Sequence, residues 1–338
     1  MTQHWTLSPG EGLASLALKE ISDDDLSPGQ ARVALKAWSL NARDLMVAHG
    51  LSPVKTAPEL VPLSDAAGVV TEVAPDVTGV DVGDRVVITF NPAHQSGAFE
   101  PYMGAFAHGE AAQGVLAQDR VFDARALVRL PDTVPLEQAA CLPCAAVTAW
   151  NALFEAGQLK PGQTALATGT GSVSLIAVQL AKAAGARVGV TSSDPAKLER
   201  AKALGADFGV NYRERSDWDV AVKEVTAGHG ADVVLETAGP PSIATAVRAT
   251  AQNGTVAQIG LKSMDGPAVR MLDLMLSGVR LVPIMVGSRS LLERVVAAVG
   301  QNSIEIPVHQ RFDFANAPAA FAALQEGNAF GKVTITTG

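Results

Sequence analysis

Apolar and polar positions change rhythm once along this chain. Between residues 30 and 125 the apolar runs are short and β-branched, as in Gly68-Val69-Val70-Thr71-Glu72-Val73 and Asp84-Arg85-Val86-Val87-Ile88, and Ala31–Ala37 alternates in character. Turn signals separate them: Pro75-Asp76-Val77-Thr78-Gly79 and Val82-Gly83-Asp84. Runs of this length divided by Gly, Pro and Asp predict strands, and their spacing predicts a small barrel or sandwich. Residues 91–118 are irregular and rich in Gly, Ala and His, which predicts a long surface loop.

From about residue 160 strands alternate with helices. Thr164–Thr168, Arg187–Thr191, Phe208–Asn211, Asp232–Glu236, Thr255–Ile259 and Arg280–Ile284 read as strands. Between the first two, residues 173, 176, 177, 180, 181 and 184 are apolar at helical spacing. Pro195–Leu204 reads as the next helix, stopped by Gly205. This alternation predicts a doubly wound parallel sheet with helices on both faces. A helix over Leu291–Gly300 precedes a mixed tail, which is expected to return to the N-terminal domain.

The turn between the first strand and its helix is Gly169-Thr170-Gly171-Ser172-Val173-Ser174. Glycines there let the backbone approach a pyrophosphate, and the helix N-terminus offers free N–H groups and a positive dipole end. Ser174 replaces the third glycine of the usual pattern. The end of the second strand selects the nucleotide, because Asp or Glu there grips the ribose hydroxyls of NAD. This chain has Ser192 and Ser193, with Lys197 a turn later. Hydroxyls and an ammonium suit a 2′-phosphate, so NADP(H) is expected over NAD(H). Ser-Ser-Asp followed by Pro195 also reads as an ordinary helix start capped by Asp194, and the two readings are compatible.

Composition narrows the class. The chain has 338 residues, 48% hydrophobic and 18% charged, which implies about two globular domains and excludes disorder. Net charge is −8, with no basic run, which argues against a nucleic-acid partner. No basic-then-apolar leader and no run of about 18 apolar residues occurs, so neither a signal peptide nor a membrane span is expected, and the setting reads as cytoplasmic. Two cysteines, Cys141 and Cys144, are too few for a disulfide scaffold or a four-Cys zinc site. Their C-x-x-C spacing is that of a redox pair, but the following apolar run favours buried packing.

Several segments together resemble the medium-chain dehydrogenase/reductase superfamily, in particular its zinc-free, quinone-oxidoreductase-like branch. They are Asn41-Ala42-Arg43-Asp44, Asp65–Val70, Val82–Val86, Leu142–Trp150, the glycine loop, Ala203–Asp207 with Asn211-Tyr212, and Phe330–Val333. The resemblance implies a GroES-like catalytic domain over residues 1–124, completed by 289–338. A Rossmann domain over 125–288 would stand beside it, with the nicotinamide in the cleft between them. It places Asn41 and Ser64 where zinc-dependent members carry a Cys and a His, Asp65 beside them, and leaves only Cys144 as a matching ligand. One thiol does not hold zinc, so no metal is expected. His94, His108 and Glu110 are read as surface residues.

Without a metal the hydride acceptor must already be electrophilic: an enone, enal, quinone or related carbonyl. Asn41 is the expected polar group facing the reacting carbon, with a helix cap as its plainer role. Asp44 orients that segment, and Arg43 either pairs with Asp44 or reaches the nicotinamide. The resemblance further implies cofactor contacts from Thr148, Tyr212 and Lys332, whose alternatives are a helix-interior Thr bonding its own backbone, a strand-end aromatic against the sheet and a solvated surface charge; Gly260 and Leu261 follow a strand and are expected to line the nicotinamide ribose crevice. Phe99, Tyr102, Met103 and Phe106 are expected to wall the substrate. The family also implies a homodimer through the strand in Arg280–Val286. Alcohol oxidation and a catalytically silent nucleotide-binding protein are the competing functions.

Overall fold

The computed structural model describes residues 2–21, 25–261, 263, 265–302 and 304–337. The chain forms two compact units, Met1–Val147 with Gly287–Gly338, and Thr148–Val286. Residues 125–147, expected with the dinucleotide-binding domain, thus belong to the first unit. The reason is local: residues 127–129 form a sheet strand there, and the helix Leu136–Ala140 packs on that sheet.

In chain order the first unit holds strands β1 (Thr2–Thr6), β2 (Ala17–Ile21), β3 (Gln30–Ser39), β4 (Asp65–Val73), β5 (Arg85–Ile88), β6 (Asp119–Asp123) and β7 (Leu127–Arg129). The second unit holds β8 (Thr164–Thr168), β9 (Arg187–Ser192), β10 (Phe208–Asn211), β11 (Ala231–Glu236), β12 (Thr250–Gln258) and β13 (Arg280–Pro283). The chain then re-enters the first unit with β14 (Val308–Asp313) and β15 (Lys332–Thr336).

β1 and β2 form a separate pair, and the main sheet of the first unit runs β14-β15-β3-β4-β5-β7, with β6 on β3. β15 is antiparallel to β3, setting Ile335 opposite Trp38 and Thr334 opposite Ser39. The core gathers Val33, Leu35, Trp38, Leu63, Ile88, Phe321 and Ile335, all fully or nearly fully buried. Each such side chain contributes roughly 1.5–3 kcal/mol by leaving water. Trp38 also donates its indole N–H to the Val115 carbonyl at 2.7 Å.

That contact corrects the expectation for residues 91–118. Val115, Leu116 and Ala117 are core, and His94 and His108, read as surface residues, are buried. His108 Nδ1 meets the Gln113 carbonyl at 3.1 Å, and its ring stands edge-on to Phe122. The segment lacks regular periodicity because irregular bonds satisfy it, among them Gly114 N–H to the Val61 carbonyl, Val115 N–H to the Leu63 carbonyl and Gln118 N–H to the Gln3 carbonyl.

The second unit is a parallel sheet in the order β10-β9-β8-β11-β12-β13. This is the doubly wound arrangement, with the order reversing beside β8. Every residue of β8 is buried, as a central strand covered on both faces requires. The helix Ser172–Ala183 turns Leu175, Ile176, Ala177, Val178, Leu180 and Ala181 inward.

Candidate functional site

The reversal beside β8 positions the glycine loop. Gly169 takes a φ of +82°, a conformation open to glycine, and its N–H donates to the Thr191 carbonyl at 2.9 Å. At Gly171 a Cβ would meet nothing within 4 Å, so the loop leaves open space over the start of the helix Ser172–Ala183. Gly171 is the N-cap of that helix, and no side chain caps it. The first-turn N–H groups therefore lack the usual side-chain acceptor, which suits an anionic ligand. Ser174, in place of a third glycine, is fully buried and donates to the Thr168 carbonyl at 2.9 Å. Its small hydroxyl lets helix and strand pack closely without a glycine.

Ser192, at the end of β9, is buried, and its hydroxyl accepts from the Asp194 N–H at 3.2 Å. Asp194 caps the helix Pro195–Ala203, accepting from the Ala196 N–H at 2.8 Å and the Lys197 N–H at 3.4 Å. Its carboxylate is thus engaged at the helix start. Ser193 and Lys197 are half-buried beside it. Tyr212 follows β10 with an exposed ring, and its N–H donates to the Ser192 carbonyl at 3.1 Å. The strand ends therefore bring Ser192, Ser193, Asp194 and Tyr212 into one neighbourhood.

Across the reversal, the loops after β11 and β12 meet backbone to backbone. A Cβ on Gly260 would stand 2.0 Å from the Thr237 carbonyl oxygen. The Gly260 N–H donates to the Glu236 carbonyl at 3.0 Å, and Leu261 is exposed beyond it. Glu236 itself went unassigned in the sequence. It is fully buried, accepts from the Gly239 N–H at 2.6 Å and the Ala238 N–H at 3.1 Å, and is bonded by the Ser242 hydroxyl. An acidic residue closing an apolar strand just before Thr-Ala-Gly was the available signal. Thr148 is buried at the start of this unit, in the short helix Val147–Trp150.

The first unit holds a separate buried polar cluster. Asn41 begins the helix Ala42–Ala48, and its N–H donates to Asp44 Oδ2 at 2.7 Å. Ser64 donates to Asp65 Oδ1 at 2.7 Å. Asp65, fully buried, also accepts from the Ser39 hydroxyl at 3.4 Å and the Cys144 N–H at 3.3 Å. Lys332 lies inside the same cluster, 1% exposed. Its ammonium donates to Asn41 Oδ1 at 2.6 Å and to the Leu40 carbonyl at 2.9 Å, and stands 3.7 Å from Asp65 Oδ2. The alternative of a solvated surface charge is thereby overturned. The expected cofactor contact is also at odds with an ammonium enclosed by these three partners.

Burial sets the ionisation here. The Asp44 carboxyl is pushed up to about 6 by desolvation, against the opposing pull of Arg43 and the Asn41 N–H. The Cys141 and Cys144 thiols are pushed up to about 12 by the same cause. They are protonated thiols rather than thiolates at neutral pH. Arg43 does not pair with Asp44: its Nη2 donates to the His108 carbonyl at 2.8 Å and lies 3.5 Å from Glu110, with Phe90 beneath the guanidinium.

This donor set fits zinc poorly. The three positions carry an amide, a hydroxyl already given to Asp65 and a single thiol, beside a resident ammonium. Among the described residues no group of three or more His, Cys, Asp or Glu is arranged to hold a metal ion.

The expected substrate wall divides. Tyr102 and Phe106 are exposed on the short helical segment Pro101–Phe106. Phe99 is half-buried, with its ring edge-on to His94. Met103 is buried, and its carbonyl accepts from Asn91 at 2.7 Å, so it supports the loop from within.

Known proteins carry the same two-part pattern. Residues 27–132 match the alcohol dehydrogenase GroES-like domain, and residues 172–301 match the zinc-binding dehydrogenase family. A zinc-type alcohol dehydrogenase-like protein of Schizosaccharomyces pombe is 36% identical over 316 residues, covering 92% of this chain and 91% of its own. A solved structure from Sinorhizobium meliloti superposes with a TM-score of 0.92 at 36% identity, covering 99% of both chains. A quinone oxidoreductase of Pseudomonas syringae superposes with a TM-score of 0.83 at 26% identity, covering 99% of this chain and 100% of its own. The doubly wound sheet with its open glycine loop, the GroES-like unit and these matches establish the chain as a nicotinamide-dependent oxidoreductase of the medium-chain dehydrogenase/reductase superfamily.

Proposed function

We propose that this oxidoreductase moves hydride between NADP(H) and a small activated C=C or C=O compound, such as an enone, enal or quinone, without a metal. The observation that carries the reading is the chemistry of the first unit's buried cluster. Where zinc-dependent relatives need metal donors, it presents Asn41, Ser64, the lone Cys144 thiol and the Lys332 ammonium. Within it the Asn41 side-chain N–H, left without a protein partner, is the donor for a developing oxyanion, and the set is poorly suited to a Lewis acid.

A bound nicotinamide nucleotide supplies the hydride. The backbone of Gly169, Thr170, Gly171, Ser172 and Val173 holds the pyrophosphate against the helix N-terminus. Ser192, Ser193 and Lys197 take the 2′-phosphate, with Tyr212 against the adenosine side. Engagement of Asp194 Oδ1 as a helix cap supports this preference, because it turns the carboxylate toward the Ala196 and Lys197 N–H groups. Thr148, Gly260 and Leu261 line the nicotinamide riboside. Asn41 binds the substrate oxygen, Asp44 fixes the Asn41 backbone, Ser64 secures Asp65, and Arg43 braces the loop through His108 and Glu110. Phe99, Tyr102 and Phe106 offer apolar surface to the substrate, with Met103 behind them.

A cytoplasmic homodimer completes the proposal. Both cysteines are free thiols, and no helix among the described residues is long and apolar enough to cross a membrane. β13 pairs with β12, and no second strand partner is found for it among the described residues. Met271, Leu272, Met275 and Leu276 on the adjacent helix are exposed. A second copy covers such an edge by continuing the sheet about a two-fold axis.

The test is a panel of enals, enones, quinones, ketones and alcohols assayed with NADPH and NADH. Turnover of the conjugated acceptors with NADPH is the expected result. Turnover confined to alcohols and ketones overturns it, and nucleotide binding with no turnover of any member supports the silent alternative.

A further inference from the structure

Lys332 is a long cationic side chain enclosed in the interior of the first unit, and burying an ammonium is costly unless its donors are used. Two of them are: Asn41 Oδ1 at 2.6 Å and the Leu40 carbonyl at 2.9 Å, with Asp65 supplying the balancing charge at 3.7 Å. Asp65 is in turn held by Ser64, Ser39 and the Cys144 N–H. The ammonium's position is therefore fixed from β15, β4 and the start of the helix Ala42–Ala48.

That fixation has a consequence for Asn41. An ammonium only donates, so the amide oxygen of Asn41 must face it and the amide nitrogen must face away. Asn41 Nδ2 then has no hydrogen-bond partner, although the residue is more than nine-tenths buried. A buried donor left unpaired carries a desolvation cost that an incoming acceptor relieves. The charge on the amide oxygen also polarises the amide and strengthens its N–H as a donor.

We propose that Lys332 is a positioning residue that orients the Asn41 amide, leaving Nδ2 as the hydrogen-bond donor for the carbonyl oxygen of the acceptor substrate. The proposal rests on the carbonyl- or enone-reducing function above. The acceptor's oxygen gains negative charge as hydride arrives at carbon, and Asn41 Nδ2 stabilises that oxygen without transferring its proton. Lys332 touches neither substrate nor cofactor. It does for the amide what a preorganised support does for an oxyanion-hole donor.

The test combines kinetics with a readout independent of turnover. Removing one oxyanion donor costs about 10²–10³-fold in kcat, so Asn41→Ala is expected to lose roughly that factor. Lys332→Met should show a loss of similar order, with the Kd for NADPH unchanged. The double variant should lose no more than Asn41→Ala alone, and Lys332→Arg should recover part of the rate. In the nucleotide-free protein, the Asn41 side-chain amide resonances, assigned by their disappearance in Asn41→Asp, should shift in Lys332→Met. Should Lys332→Met fail to fold, Lys332→Met with Asp65→Asn removes the charge pair together and carries the same measurements. Unshifted amide resonances, full activity, multiplicative losses in the double variant or weakened NADPH binding each overturn the proposal. Resonances that shift in a protein that turns over no activated acceptor separate the two ideas: the Lys332–Asn41 support stands, while the assigned function and the substrate contact resting on it fall.

Discussion

At the scale of single residues, Asp44 and Ser192 make sharp claims. Asp44 holds its proton up to about 6, mainly because it is buried. The native state therefore binds that proton more tightly than the unfolded chain does, and stability falls as pH rises from the unfolded carboxyl value through about 6. His108 acts oppositely, since burial pushes it down to about 4 and it loses stability toward acid. Comparing Asp44→Asn with the wild type cancels the histidine, while the amide still accepts from the Asn41 N–H. The Tm of the variant relative to wild type should rise between about pH 4 and pH 7 and level off above. A pH-independent difference contradicts the buried ionisation. Ser192→Asp sets a carboxylate against the 2′-phosphate at a cost of about 1–4 kcal/mol, so NADPH should lose at least roughly fivefold against NADH in kcat/KM. An unchanged ratio removes Ser192 from the phosphate site.

At the scale of elements, the loops at the sheet reversal depend on close backbone approach. Gly260→Ala would place a methyl 2.0 Å from the Thr237 carbonyl and 2.6 Å from the Ala238 nitrogen. Overpacking of this kind costs about 1–3 kcal/mol. We expect a lowered Tm and weaker nucleotide binding, measured by thermal melts and by titration of NADPH fluorescence; a variant matching wild type in both denies that the two loops are in register. Much of this unit was legible beforehand. Period-2 and period-3.6 runs and one glycine turn are local signals, and β8 to β13 fall where those signals lie. The residues that pattern misplaced depend on distant partners. Lys332 meets Asn41 across 291 positions, and Trp38 meets Val115 across 77. No periodicity records such contacts, so the lysine reads as a surface or cofactor residue and residues 91–118 as surface loop.

At the scale of the whole molecule, the exposed helix Met271–Ser277, which precedes β13 in the chain, predicts the assembly. Met271, Leu272, Met275 and Leu276 expose four large apolar side chains on one short helix, and large apolar surface of this kind is normally covered. Light scattering should give the mass of two chains, and Met275→Asp with Leu281→Asp should shift it toward one; a monomeric wild type dismisses the edge-strand interface.

The central claim is hydride transfer without a metal, and one measurement bears on it most directly. The protein is dialysed against a chelator, its zinc content is determined, and NADPH oxidation by a simple enone is followed in that same sample. The account predicts a rate unchanged by chelation, with zinc far below one per chain. A rate that disappears with the metal and returns on adding zinc contradicts it.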